Sequence, residues 1–222
     1  MKIIVTEEID SVCPDFVGAC LEARVENSPY CQPLWDEINN LGEKYRQTLT
    51  TESLKDINGI AFTRKVYRAC GKDPSRYRPA AEALIRRMLK GKTLYQIDTL
   101  VDMINLASIS FGYSIGGFDA DKIVGNILTL GIGKENEPYE GIGRGVMNIA
   151  GLPVYRDVQG GVGTPTSDNE RTKISLKTTH LLVLINGYDS DEDHVRRNAE
   201  YIQQLLRKYC NSDGGNYIIY RG

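Results

Sequence analysis

The 222-residue sequence holds only two histidines, His180 and His194, and its five cysteines include no C-x-x-C pair. A multi-histidine metal centre and a paired-thiol zinc site are therefore both disfavoured. The cysteines, Cys13, Cys20, Cys31, Cys70 and Cys210, are odd in number, which argues against a disulfide framework and for reduced thiols in a cytoplasmic protein. Charge of one sign is lacking too, since 27 basic and 29 acidic side chains leave a formal net charge of -2. Such a chain feels no global pull toward phosphate, so any nucleic-acid contact needs a local basic patch. The apolar run after Lys2 is broken at once by Glu7 and Glu8, too short for a signal peptide, and no segment nears the length of a membrane span. No G-x-S-x-G elbow, H-E-x-x-H pair or cysteine–histidine signature occurs, and no cofactor is implied.

What is present is an average globular composition, 41% hydrophobic and 25% charged, in a chain long enough to bury one substantial core. Lys2–Val5 and Phe16–Arg24 carry strand-like apolar patterns. Pro33–Thr48 reads as a helix with Leu34, Ile38, Leu41 and Tyr45 on one stripe. A second helix, Ile60–Cys70, ends at Gly71. A third begins near Arg78-Pro79 with Ala83, Leu84, Met88 and Leu89 as its apolar face, and Gly91 stops it. Asp98 is a candidate N-cap for a fourth, reaching Phe111, with Leu100, Ile104 and Ala107 on one side. From Gly112 to Gly163, glycines separate the short apolar runs Ile123–Leu130, Gly145–Ala150 and Leu152–Tyr155, a pattern of short strands and tight turns. A buried strand Leu181–Ile185, a helix Glu192–Tyr209 and a last strand Tyr217–Tyr220 follow. The expectation is a single domain of α+β type, its central sheet flanked by helices, with residues 1–60 integrated into the core formed by 61–222.

Polar residues between Arg78 and Asn186 are the candidate functional surface. Asp119 and Asp121 in G-F-D-A-D-K suit a turn with a helix cap. Asp102 and Asn105, three apart on the fourth helix, either bond a neighbouring loop or line a pocket. Gly160-Gly161-Val162-Gly163-Thr164 lacks the Gly-Lys-Ser/Thr of a phosphate loop and fits a hairpin or a close backbone approach. The hydroxyl-rich run that follows feeds a core strand through Lys177-Thr178-Thr179-His180, which puts its last side chains at a sheet rim, a common place for a pocket. His180 beside that strand reads as a packed, hydrogen-bonded residue.

Six segments in unbroken order extend this reading: Y-R-P-A-A-E-A-L-I-R-R from Tyr77, L-V-D-M-I-N from Leu100, G-G-F-D-A-D-K-I from Gly116, E-P-Y-E-G-I-G from Glu137, P-V-Y-R-D from Pro153, and S-D-N-E-R-T from Ser167. Over roughly Ala61 to Tyr209 the chain resembles the B3/B4 domain of the phenylalanyl-tRNA synthetase beta subunit in free-standing form. The resemblance implies a pocket that removes tyrosine wrongly attached to the phenylalanine tRNA. Its substrate-binding residues would be Glu137, Gly161, Thr164, Arg171 and Thr172, with Asn105 on the adjoining helix. Thr178 and Thr179 would be the catalytic hydroxyls that orient a water, and Glu137 would accept the tyrosine phenol. Partners would be tRNA or aminoacyl-tRNA, with an aromatic amino acid as a possible ligand and no membrane. A tRNA would meet the basic cluster Arg64, Lys65, Arg68, Arg76, Arg78, Arg86, Arg87 and Lys90. Three functions are compatible with this: ester hydrolysis of mischarged aminoacyl-tRNA in trans, RNA binding without catalysis, and binding of a small molecule such as an amino acid.

Overall fold

The computed structural model covers Met1–Gly222 and is of the α+β class. Its elements run β1 (Lys2–Val5), α1 (Glu7–Val12), β2 (Val17–Arg24), α2 (Gln32–Thr48), α3 (Asn58–Ala69), α4 (Ala80–Leu89), α5 (Thr99–Phe111), β3 (Ile115–Asp119), β4 (Ile127–Ile132), β5 (Glu140–Gly141), β6 (Gly145–Val146), β7 (Pro153–Asp157), β8 (Gly160–Gly163), β9 (His180–Gly187), α6 (Glu192–Tyr209) and β10 (Asn216–Arg221). The strands form two four-stranded sheets where one central sheet was expected. One has the order β10-β2-β9-β3 and is antiparallel throughout. The other has the order β1-β4-β7-β8, with β1 and β4 parallel; β5 and β6 make a small hairpin apart.

Three layers result. Along β2 the odd residues Val17, Ala19, Leu21 and Ala23 join the larger core with α2, α4, α5 and α6, while Cys20 joins the second core against the other sheet. β9 does the same with Leu181, Val183 and Ile185 on one face and Leu182 and Leu184 on the other. A strand covered on both faces has no polar alternation, which is why this run is continuously apolar.

Local chemistry sets the helix ends. Asp98 caps α5, accepting from Val101 N at 2.9 Å, and Gly112 closes it with φ of 74°. The side chains of α5 are buried nearly all round rather than on one stripe, because α4, α6, β3 and α2 surround it. Inside this packing, Trp35 donates its indole N–H to Asp102 Oδ2 at 2.8 Å and Ile97 N–H reaches Oδ1 at 3.2 Å. Burial still raises the Asp102 carboxyl to about 6. On α4 the buried positions are Ala81, Glu82, Ile85 and Met88, so its face is rotated from the expected one, of which only Met88 is fully buried. The rotation is stabilised by charge: Glu82, 2% exposed, receives Arg64 at 2.8 Å, Arg86 at 2.8 Å and Arg78 at 3.5 Å. All five cysteines are free thiols, and no helix is long and apolar enough to cross a membrane.

Candidate functional site

The turn after β8 is the architectural centre of the site. Thr164 donates its hydroxyl to Ser167 O at 3.0 Å and accepts from Thr166 N and Ser167 N at 3.2 and 3.1 Å, so T-P-T-S closes on itself. Three neighbours clamp it. Ala80 N–H at the start of α4 donates to Pro165 O at 2.8 Å, Thr166 Oγ1 donates to Tyr77 O at 3.2 Å, and the Tyr139 hydroxyl donates to Ser167 O at 2.7 Å.

This turn delivers Asp168 against bare backbone. Gly117 N–H on β3 donates to Asp168 Oδ2 at 3.1 Å. A Cβ on Gly163 would lie 2.9 Å from Asp168 Oδ1 and 2.6 Å from Phe118 Cζ, and one on Gly117 would lie 2.4 Å from Ile104 Cδ1. Both glycines are therefore close-approach residues that let a carboxylate and an isoleucine occupy space a side chain would fill. Burial raises the Asp168 carboxyl to about 7, opposed only by the Gly117 hydrogen bond.

Asp168 forms part of a cavity of about 390 Å³ walled by Ile97, Val101 and Ile104 of the α5 region, Ile115 of β3, Ile142 of the β5–β6 hairpin, and Ile174. Asn105, Thr164, Ser167 and Lys173 contribute the other polar groups. Lys173 is ion-paired to Glu170, and Thr164 is occupied by its own turn. The Asn105 amide and Asp168 Oδ1 remain to meet a ligand. A mainly apolar cleft with a few convergent polar groups, one with a displaced pKa, has the form of a small-molecule site. A larger cavity of about 480 Å³ at the other end of α5 is lined by Asp56, Asp189 and Asp191; Asp189 accepts from the Tyr113 hydroxyl at 2.7 Å, Asp191 accepts from His194 N–H at 2.8 Å, and Asp56 is exposed.

Of the residues singled out in the sequence, the structure brings Asn105 and Thr164 into this cavity and places the others elsewhere. Glu137 is a structural anchor: Arg156 grips it at 2.6 and 2.7 Å, and Lys134 N–H adds a third bond at 2.9 Å. Burial acts upward on its carboxyl, but the Arg156 and Lys134 hydrogen bonds outweigh it and hold the group below its ordinary range. Gly161 and Arg171 share a separate cleft with Tyr139 and Gln159. There Arg171 is spent on Asp157 at 2.9 and 2.8 Å, and Gly161 leaves room for the Tyr139 ring. Thr172 is buried with its hydroxyl 3.5 Å from Val162 O.

The hydroxyl of Thr178 is buried and fully used, donating to Asp119 Oδ2 at 2.9 Å and accepting from Ser175 N at 3.0 Å; Thr179 is exposed. His180 rests between Asp121 at 3.1 Å and Glu22 at 3.6 Å. Within S-D-N-E-R-T the sequence does not distinguish Asp168, because its environment comes from Gly163 and Gly117, 5 and 51 residues away. The available signal was an acidic residue beside a glycine-rich approach.

The basic cluster divides in two. Arg64, Arg78 and Arg86 converge on Glu82, while Arg87 donates to Thr93 O at 2.6 Å and lies 3.9 Å over the Tyr95 ring. Lys65, Arg68, Arg76 and Lys90 are exposed. Arg76 shares a groove of about 390 Å³ with Tyr77, Arg144 and Asn148, next to the strand of backbone that Thr166 bonds.

A structural relative is an N-terminal fragment of the phenylalanyl-tRNA synthetase beta subunit from Pyrococcus horikoshii, with 14% identity and a TM-score of 0.49 over 97% of this chain. This chain spans about half of that one, 50% of its length. No curated protein matches the sequence. The B3/4 domain model matches residues 63–211, from within α3 to just past α6, and with more than half its length so matched the chain belongs to the B3/4 domain family.

Proposed function

We propose that this protein acts in the cytoplasm on aminoacyl-tRNA, hydrolysing a mischarged ester in trans with the aminoacyl group held in the cavity between α5, β3 and the Thr164–Asp168 turn. The observation that carries this reading is Asp168, a carboxylate with one oxygen fixed by Gly117 N–H, the other free, and a pKa near 7 in a largely aliphatic cavity. A group whose pKa lies near the working pH serves best as a general base. In this reading Asp168 Oδ1 takes a proton from water, the hydroxide so formed attacks the ester carbonyl carbon, and the bond to the ribose oxygen breaks as that oxygen takes up the proton. Asn105 orients the ester or its α-amino group. Thr178 supports the segment that follows Lys173 and Ile174 rather than handling water itself.

The family resemblance supports a tRNA substrate, as does the exposed basic groove of Arg76 and Arg144 beside Tyr77, whose carbonyl contacts the same turn through Thr166. The test is deacylation of a panel of aminoacylated tRNAs by purified protein. The rate should rise with pH through about 7 and then level, following ionisation of Asp168. Asp168→Asn should lower it about 10²- to 10³-fold while tRNA retention at low ionic strength is unchanged. Retention of tRNA with no acceleration of any ester would leave RNA binding as the function; binding of neither would remove both.

A further inference from the structure

We infer that the side-chain end of this cavity selects an aliphatic, hydroxyl-free aminoacyl group, of the valine or isoleucine kind, over tyrosine and threonine; the inference rests on the cavity being the aminoacyl site proposed above. The hydrocarbon lining consists of Ile97, Val101, Ile104, Ile115, Ile142 and Ile174, all branched, and no aromatic ring is among the lining residues. Each polar group in the cavity is accounted for before a substrate side chain is considered. Thr164 is closed into its turn, Ser167 Oγ donates to Asp168 O at 3.3 Å, Lys173 is paired with Glu170, and Asp168 Oδ2 receives Gly117 N–H. The remaining two, Asn105 and Asp168 Oδ1, are those an ester, its water and its α-amino group require.

A phenol or a threonine hydroxyl placed against the isoleucines would surrender its hydrogen bonds to water without replacement. Glu137, the carboxylate that would have accepted a phenol, is held by Arg156 and does not line the cavity. Ile104 is pressed inward because Gly117 leaves it room, and its Cδ1 and that of Ile174 narrow the floor beside Asp168. The cavity lining therefore matches branched hydrocarbon in its chemistry.

The selection is read with amide-linked aminoacyl-adenosines, which bind without being cleaved, in parallel with deacylation of the corresponding tRNAs. Valine and threonine are near-isosteres that differ by a hydroxyl, so their ratio isolates the chemistry. A pocket of hydrocarbon distinguishes such a pair by at most about a hundredfold, and the valyl analogue should bind roughly ten- to a hundredfold tighter than the threonyl one. The isoleucyl analogue should likewise exceed the tyrosyl one. Ile142→Thr, at the half-open rim, should shrink the valine-to-threonine ratio several-fold with the melting temperature little changed, and Ile115→Thr should do the same at some cost in stability, since Ile115 also packs against the larger core. Equal or tighter binding of the threonyl or tyrosyl analogue, or no binding of any analogue, overturns the selection. Valyl preference in binding with no tRNA deacylated would overturn the hydrolytic function alone, and deacylation favouring tyrosine would overturn the selection alone.

Discussion

A carboxylate surrounded by hydrocarbon costs stability whenever it is charged, and two aspartates meet that condition here. Asp168 is raised to about 7 and Asp102 to about 6, both by burial, against an ordinary value of 3.8. The unfolded chain gives up these protons near pH 4 and the folded one only near 6 to 7. Their contribution is therefore most favourable below the unfolded value and is lost as pH rises through the folded values. Asp168→Asn keeps an acceptor for Gly117 N–H and removes the charge, so it should raise the melting temperature at pH 8, with the gain closing toward pH 4. Paired melting curves across that range check it; a constant difference at all pH values would mean that ionisation is not the cause. Asp102→Asn is not equivalent, because one amide oxygen cannot replace two carboxylate oxygens serving Trp35 and Ile97. Side-chain type alone did not separate such residues. Glu137, Arg171 and Thr178 are polar in a chemically suggestive pattern, but each is saturated by a partner distant in sequence, whereas Asp168 is not.

Elements were legible where a period ran long enough. α2 and α6 follow from three- and four-residue spacing, and β9 from its unbroken apolar run. The face of α4 was not legible, because a glutamate in a helix reads as solvent-facing until the arginines on Glu82 are known. β3 was hidden by Gly116-Gly117, which signal a turn in sequence but admit Ile104 and Asp168 in the fold. The connection into β9 illustrates a hydroxyl acting for an element rather than for chemistry. Thr178 ties Ser175 N to Asp119, fixing the segment that carries Ile174 into the cavity. Thr178→Val leaves the Asp119 oxygen and the Ser175 N–H without that partner, and the expected loss is about 1–3 kcal/mol, measured by denaturant unfolding. Deacylation per folded molecule should stay within a few-fold of the unchanged protein. A hundredfold fall at unchanged stability would return Thr178 to the catalytic set.

At the scale of the whole molecule, the strand count was broadly legible and the pairing was not, since β1 lies parallel to β4 across more than a hundred residues and each four-stranded sheet joins a strand from near the start of the chain to strands from its second half. The fold brings Arg76 and Arg144, 68 residues apart, into one groove. With a formal net charge of -2, attraction to RNA has to come from one face. Lys65, Arg68 and Lys90 are exposed on and after α3 and α4, and Arg76 meets Arg144 in the groove beside the cavity turn. Arg64 and Arg86 belong to Glu82 and serve the fold. Two sets of variants should therefore behave oppositely. Replacing Arg68, Arg76 and Arg144 by alanine should leave the melting temperature nearly unchanged and weaken tRNA binding. It should also flatten the slope of log affinity against log salt by roughly 0.7 to 0.9 for each phosphate contact removed. Arg64→Ala should lower the melting temperature by taking a counter-charge from buried Glu82, with the salt slope retained in the folded fraction. An unaltered slope in the triple variant would show that tRNA approaches by another face, and the groove beside Tyr77 would lose its role as the path to the cavity.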